Sequence, residues 1–148
     1  MAITTSRKSI LDDLKTWLEA ITVANGYQTT VAEVKRGIHY ADDMQNRPSL
    51  CFWNDKGPKK DLAGEQCERV LHIFIWGYID IQPGTYDNLD GLVSDVEACL
   101  NGSRANWDSS ITQVDVGDST YYEGGVTDPI GIFEMEAEIY YEYDRADP

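Results

Sequence analysis

From about Glu65 one long extended segment runs through QCERVLHIFIWGYIDI, and it limits the fold more than any other part of the chain. Side chains of a strand point alternately to opposite faces. Leu71, Ile73, Ile75, Ile79 and Ile81 therefore share one side, and Val70, Phe74, Trp76 and Tyr78 share the other. Both sides are apolar, so helices laid on one face cannot bury the segment. Either the sheet curls over itself or another subunit covers the second side. About 15 residues span roughly 50 Å, long for a strand in a monomer of this size, which favours the second subunit. Phe74, Trp76 and Tyr78 are thus candidate subunit-interface residues.

The closing stretch GIFEMEAEIYYEYD, Gly131 to Asp144, has the same two-residue period with a different partition. Phe133, Met135, Ala137, Ile139, Tyr141 and Tyr143 fall on one side, which predicts a buried face. Glu134, Glu136, Glu138 and Glu142 fall on the other. Successive acids there stand about 6.5 to 7 Å apart by strand rise, close enough to repel unless water or a partner intervenes.

A chain of 148 residues fits one domain and buries roughly 68–70% of the surface its unfolded form exposes, so its core needs neither disulfide nor metal. Hydrophobic residues at 42% lie in the ordinary globular range. Twenty-six acids against twelve bases leave a formal charge of −14, which argues against a surface that holds nucleic acid by neutralising phosphates. No apolar run reaches the roughly 18–20 residues of a membrane span, and MAITTSRKS lacks a signal-peptide core, so a cytosolic origin is expected. Cys51, Cys67 and Cys99 form no CxxC pair and read as free thiols.

Ile10, Leu11, Leu14, Trp17, Leu18 and Ile21 recur at helical spacing after Ser9, with Gly26 placed to stop the helix. Tyr27 to Ile38, rich in Thr and Val, reads as a strand. A polar loop, HYADDMQNR, follows, and Pro48 opens the extended run SLCFWN. Lys56-Gly-Pro-Lys-Lys marks the tip of a hairpin leading into the long segment. A second helix is predicted over Tyr86 to Leu100, closed by Asn101-Gly102, and then a strand Ile111 to Val116, a Gly-rich loop and the acidic strand. These elements make an α+β fold, a mainly antiparallel sheet of four to five strands with two helices on one face.

Motifs that carry chemistry are sparse. His39 and His72 stand far apart with no HExxH spacing, and GxSxG, GxxxxGK[ST] and GxGxxG are absent. Within YDNLDGLVSDVE, Asn88, Asp90, Gly91 and Glu97 occupy calcium-loop places, but Tyr86 stands where an acid is needed and the second half belongs to the predicted helix. Acids two apart on a strand also fit the 6.5–9.5 Å separation of an inverting glycosidase pair, which in addition requires a pocket that raises one pKa. A small carboxylate-dependent hydrolase is the distant alternative. Lys56, Lys59 and Lys60 form the one compact basic site and are candidates for docking an acidic partner.

In the order of its parts the chain resembles the tail terminator proteins of long-tailed bacteriophages, the lambda minor tail protein U type. The resemblance covers nearly the whole chain, read as a single domain over residues 1–148. It rests on ITVANGY, VAEVKRG, RPSLCFW, VLHIFIWGYI, YDNLDGLVSDVEACLN and ITQVDVGDSTYYEGGVTDPIGIFEMEAEIYYEY. It implies a ring-forming subunit of the virion, usually six copies, assembled in the host cytoplasm. Such a ring docks on the last ring of the tail tube, stops its growth and offers a surface to the head–tail connector. No reaction, cofactor or membrane is implied. DNA passes through without specific binding, and Glu134, Glu136, Glu138 and Glu142 either line that channel or meet a basic residue across the subunit interface. Another neck or head-completion ring protein is the near alternative.

Overall fold

The computed structural model describes residues 7–55, 59–61, 66–81, 87–103, 111–123 and 130–144. Its core forms where two amphipathic helices meet one sheet. Helix α1, Arg7–Glu19, turns Ile10, Leu11, Leu14 and Leu18 inward. Helix α2, Asp87–Ser103, buries Leu89, Leu92, Val93, Val96, Cys99 and Leu100. Both stripes repeat every three to four residues, so each helix presents one apolar side.

The strands are β1 (Glu33–Arg36), β2 (Ser49–Asp55), β3 (Lys59–Asp61), β4 (Gln66–Asp80), β5 (Ile111–Glu123) and β6 (Ile130–Asp144). Their order across the sheet is β1-β2-β4-β6-β5, with β3 also paired to β4. All pairs are antiparallel except β1 with β2. The α+β architecture expected from the sequence is the one observed, and its long segment forms a strand of 15 residues. Beneath the helices Leu71 faces Ile139, Ile73 faces Ala137 and Ile75 faces Met135, all buried. Gly77 faces Phe133 on the same side, and a Cβ at Gly77 would run into the Phe133 ring. Glycine there lets the ring lie across the neighbouring backbone.

Four local expectations change. Gly26, at φ 95°, closes a 3-10 turn over Val23–Asn25 rather than α1, which has already ended at Glu19. Most of the Thr- and Val-rich stretch is irregular, with strand only at Glu33–Arg36. Part of the reason lies far away in sequence. Asp95 of α2, nearly fully buried, accepts from the backbone N–H groups of Gln28 at 3.1 Å and Thr29 at 2.7 Å, and from the Thr29 hydroxyl. Those amides are satisfied by a carboxylate instead of a ladder. Helix α2 runs on through Asn101 and Gly102 to Ser103, and β5 continues past Val116 to Glu123, with a register shift between Val116 and Ser119.

The basic segment is also placed differently. Lys59 and Lys60 lie in β3, opposite Arg69 and Glu68, so β2 and β3 run in succession along the same side of β4. They are strand residues rather than the tip of a hairpin, while Lys56 lies outside the described residues. Cys51 and Cys99 are buried thiols in no disulfide, and Cys67 is a β4 residue opposite Asp61 and Tyr143. No helix among the described residues is long and apolar enough to cross a membrane.

Candidate functional site

Among the described residues, neither α1 nor α2 covers the second face of the sheet. β2 and β4 fill it with aromatic side chains, because Cys51 and Trp53 alternate outward on one strand while His72, Phe74, Trp76 and Tyr78 alternate outward on the other. The rings form a continuous column. Trp53 stacks on Phe74 with centroids 5.5 Å apart, meets Trp76 edge-on at 4.6 Å, and His72 lies 4.6 Å from Phe74. Offset and edge-on contacts of this kind are the arrangements that aromatic quadrupoles favour.

Among the described residues, the chain covers this column at one end only. The segment between β1 and β2 folds back over it, burying Met44, Cys51 and Tyr78 in a small second core. Tyr78 donates its hydroxyl proton to the His39 carbonyl at 2.7 Å, and the Cys51 thiol points to the same oxygen at 3.5 Å. Arg47, whose bond to Pro48 is cis, bridges the segment to β4 by donating to the Ala41 carbonyl at 3.2 Å and pairing with Asp80 at 2.9 Å. Burial pushes the Tyr78 phenol up to about 12 and also raises the Cys51 thiol. Tyr78, expected at a subunit interface, is thus covered by its own polypeptide at 3% exposure, whereas Phe74 and Trp76 remain half-buried.

The glutamate stripe lies on this same face, one strand away. Glu134 stands opposite Trp76, Glu136 opposite Phe74, Glu138 opposite His72 and Glu142 opposite Glu68. Glu134 and Glu136 are exposed, while Glu138 and Glu142 are half-buried. On β5, Asp115 faces Glu138. His72 Nε2 approaches Glu136 Oε2 at 3.9 Å, and Tyr140 donates to Glu138 at 2.7 Å. His72, Asp115, Glu136 and Glu138 surround a hollow of about 130 Å³.

A larger groove, about 470 Å³, opens between Tyr40 and the end of β5. Trp76, Tyr78, Tyr121, Tyr122 and Glu134 complete its principal walls. Glu134 is the one carboxylate among its described lining residues, so the groove does not present the two acids that glycosidic acid–base chemistry needs. Asn88, Asp90, Gly91 and Glu97 sit along the continuous helix α2, which cannot wrap an ion as a calcium loop does. Among the described residues no group of three or more His, Cys, Asp or Glu is placed to hold a metal.

Sequence reasoning placed the acids and Trp76 on their strands but missed Tyr40, Tyr121 and Tyr122. Tyr40 belonged to a segment read as a polar loop, and the Tyr121-Tyr122 pair to one read as Gly-rich. Compared with known proteins, the chain matches no family model and no curated sequence.

Proposed function

We propose that this chain is the subunit of a virion ring, a tail terminator that docks on the end of the tail tube, stops its growth and presents a surface for head–tail joining. One observation carries the reading: the aromatic column of β2 and β4 is half open on a sheet whose opposite face packs its core under two helices. Partial exposure of contiguous aromatic surface is what a head-to-tail neighbour covers, since closed rings bury two different patches of each subunit. The order of elements that resembles the tail terminator family supports it independently.

The acidic strand takes its place within this scheme. A neighbour seated on Phe74 and Trp76 brings the interface edge onto Glu134 and Glu136, because these residues are paired across β4 and β6. Glu138, further along β6, and Asp115, opposite it on β5, then face the bore. A bore of like charge to DNA offers the duplex no basic track, and with a Debye length near 8 Å only acids close to the duplex matter. Light scattering of the purified chain, followed by electron microscopy after incubation with tail tubes, tests the proposal. Rings seated on tube ends are the expected result. A monomer at all concentrations that leaves tube ends bare overturns it, and binding to portal rings instead moves the protein to the head side of the joint.

A further inference from the structure

We infer that the groove between Tyr40 and the end of β5 binds an arginine side chain carried on an extended segment of a partner protein. The inference rests on the groove's own geometry and concerns a chain whose Trp76 and Glu134 are not covered by a second copy.

The walls point to a cation with a flat face. Tyr40, Tyr121 and Tyr122 are 64%, 45% and 55% exposed, although most large apolar side chains of the described residues are buried or half-buried. The Tyr40 and Trp76 rings stand 5.9 Å apart at 44°, a wedge rather than a closed stack. Indole and phenol faces carry negative quadrupole density, which attracts guanidinium more strongly as water is removed. Tyrosine and tryptophan are the residues that interfaces concentrate, and arginine is the charged residue most often found with them.

Glu134 supplies the second half of the recognition. It is the direct cross-strand neighbour of Trp76, so its Cβ lies about 4.5–5.5 Å from that of the tryptophan. A guanidinium laid on the Trp76 ring turns its N–H edge toward the Glu134 carboxylate and is bonded through face and edge together. Lysine, a point charge, satisfies either contact but not both in that geometry. No base occurs among the described lining residues, and Glu136 extends the negative potential along β6. Phosphate-bearing ligands are repelled, and a purely apolar occupant would strip water from Glu134 without replacing its hydrogen bonds. The groove is an open trough, which suits a side chain arriving on an extended backbone better than an engulfed small molecule.

The test follows the indole N–H signals of the four tryptophans by NMR, with Trp76 identified through Trp76→Phe. The titrants are a blocked pentapeptide Gly-Thr-Arg-Thr-Gly, its lysine and citrulline counterparts, and guanidinium chloride. The arginine peptide is expected to shift the Trp76 signal saturably, the lysine peptide to bind more weakly and the citrulline peptide not to saturate. Glu134→Gln is expected to weaken the arginine peptide about tenfold or more, the loss of one charge-assisted pair, while Glu142→Gln leaves it unchanged. Glu134 is exposed, so an unaltered melting curve certifies that its variant is folded. Equal binding of citrulline and arginine, an unaffected Glu134→Gln, or guanidinium chloride matching the peptide each overturns the proposal. So does a groove filled by a second copy, seen as self-association that Glu134→Lys abolishes while the peptide binds neither form. Tube capping without arginine binding, or the reverse, separates this inference from the ring reading.

Discussion

The two faces of β4 are both lined with apolar side chains and meet different fates. On the helix side Leu71, Ile73 and Ile75, with Phe133, Met135 and Ile139 beside them, are buried under α1 and α2. On the other side, among the described residues, the rings that meet Phe74 and Trp76 are those of Trp53, His72 and Tyr40, and both stay half-buried. Alternation along a strand decides which residues share a face; the elements above decide whether that face is a core or a surface. The sharpest way to break this comparison is to truncate one ring on each side. Phe133→Ala should cost about 3–5 kcal/mol in urea unfolding, the usual loss for a large buried ring. Phe74→Ser should cost well under half of that while weakening self-association. Equal losses would mean that the second face is as structural as the first.

A next largest effect is expected where the helix side is held by charge rather than by packing. Asp95→Ala leaves the Gln28 and Thr29 amides without their acceptor inside the fold. Unpaired donors cost about 1–3 kcal/mol each when fully buried, and these bonds are part-buried, so a loss of about 2 kcal/mol is expected, with Asp95→Asn recovering part of it. Calorimetric melting of the two variants checks this. A neutral Asp95→Ala would mean that water satisfies the loop and that helix packing alone secures this face.

The same contrast explains what could be read in advance. The stripe of α1 and the period of β6 are local patterns, and each predicted the burial of its own residues, from Leu11 and Leu14 to Phe133 and Met135. Residues 27–32 failed as a strand in part because the Gln28 and Thr29 amides meet a carboxylate 66 or 67 positions away, which no window of sequence contains. β5 outran its expected end because β6 holds it in register beyond Gly117, a residue that on its own signals a break. The acids and the aromatic column were each legible, but not that Glu134 faces Trp76, since that depends on the register of two strands. Tyr40 and Tyr122 could be recognised as neighbours only once the sheet order brought a loop and an edge strand together.

Protonation distinguishes the faces more gently. The Tyr78 phenol titrates near 12 in the folded chain because burial disfavours its anion, against an ordinary value of 10.0. The folded state therefore holds that proton more tightly than the unfolded state. Its contribution to stability is complete below pH 10 and is lost as the pH rises toward 12. Cys51, raised by the same burial, acts in the same direction. Stability measured across this alkaline window should fall, and Tyr78→Phe should make the fall shallower while costing about 1 kcal/mol at neutral pH through the lost bond to His39. Hydrogen exchange of residues 37–46 should accelerate in that variant, whereas amides under α2 should not respond. A pH profile unchanged by the substitution would mean that Tyr78 is not what pins the segment to the open face.

The smallest effect belongs to the acids. Glu134, Glu136 and Glu138 lie along one strand at about 6.5–7 Å spacing on a chain with a formal charge of −14. Such neighbours repel, and exposed charges interact weakly through water. Replacing all three by glutamine should therefore raise stability by no more than about 0.5 kcal/mol, the range of ordinary surface substitutions, and the gain should shrink as salt is added. The sign is the informative part. A loss of stability would show that the stripe forms favourable contacts within the monomer, through His72 at 3.9 Å from Glu136 or Tyr140 at 2.7 Å from Glu138. A small salt-sensitive gain, read from melting at low and high ionic strength, means that the row is kept against the interest of the isolated fold. Its reason must then lie in what the open face meets.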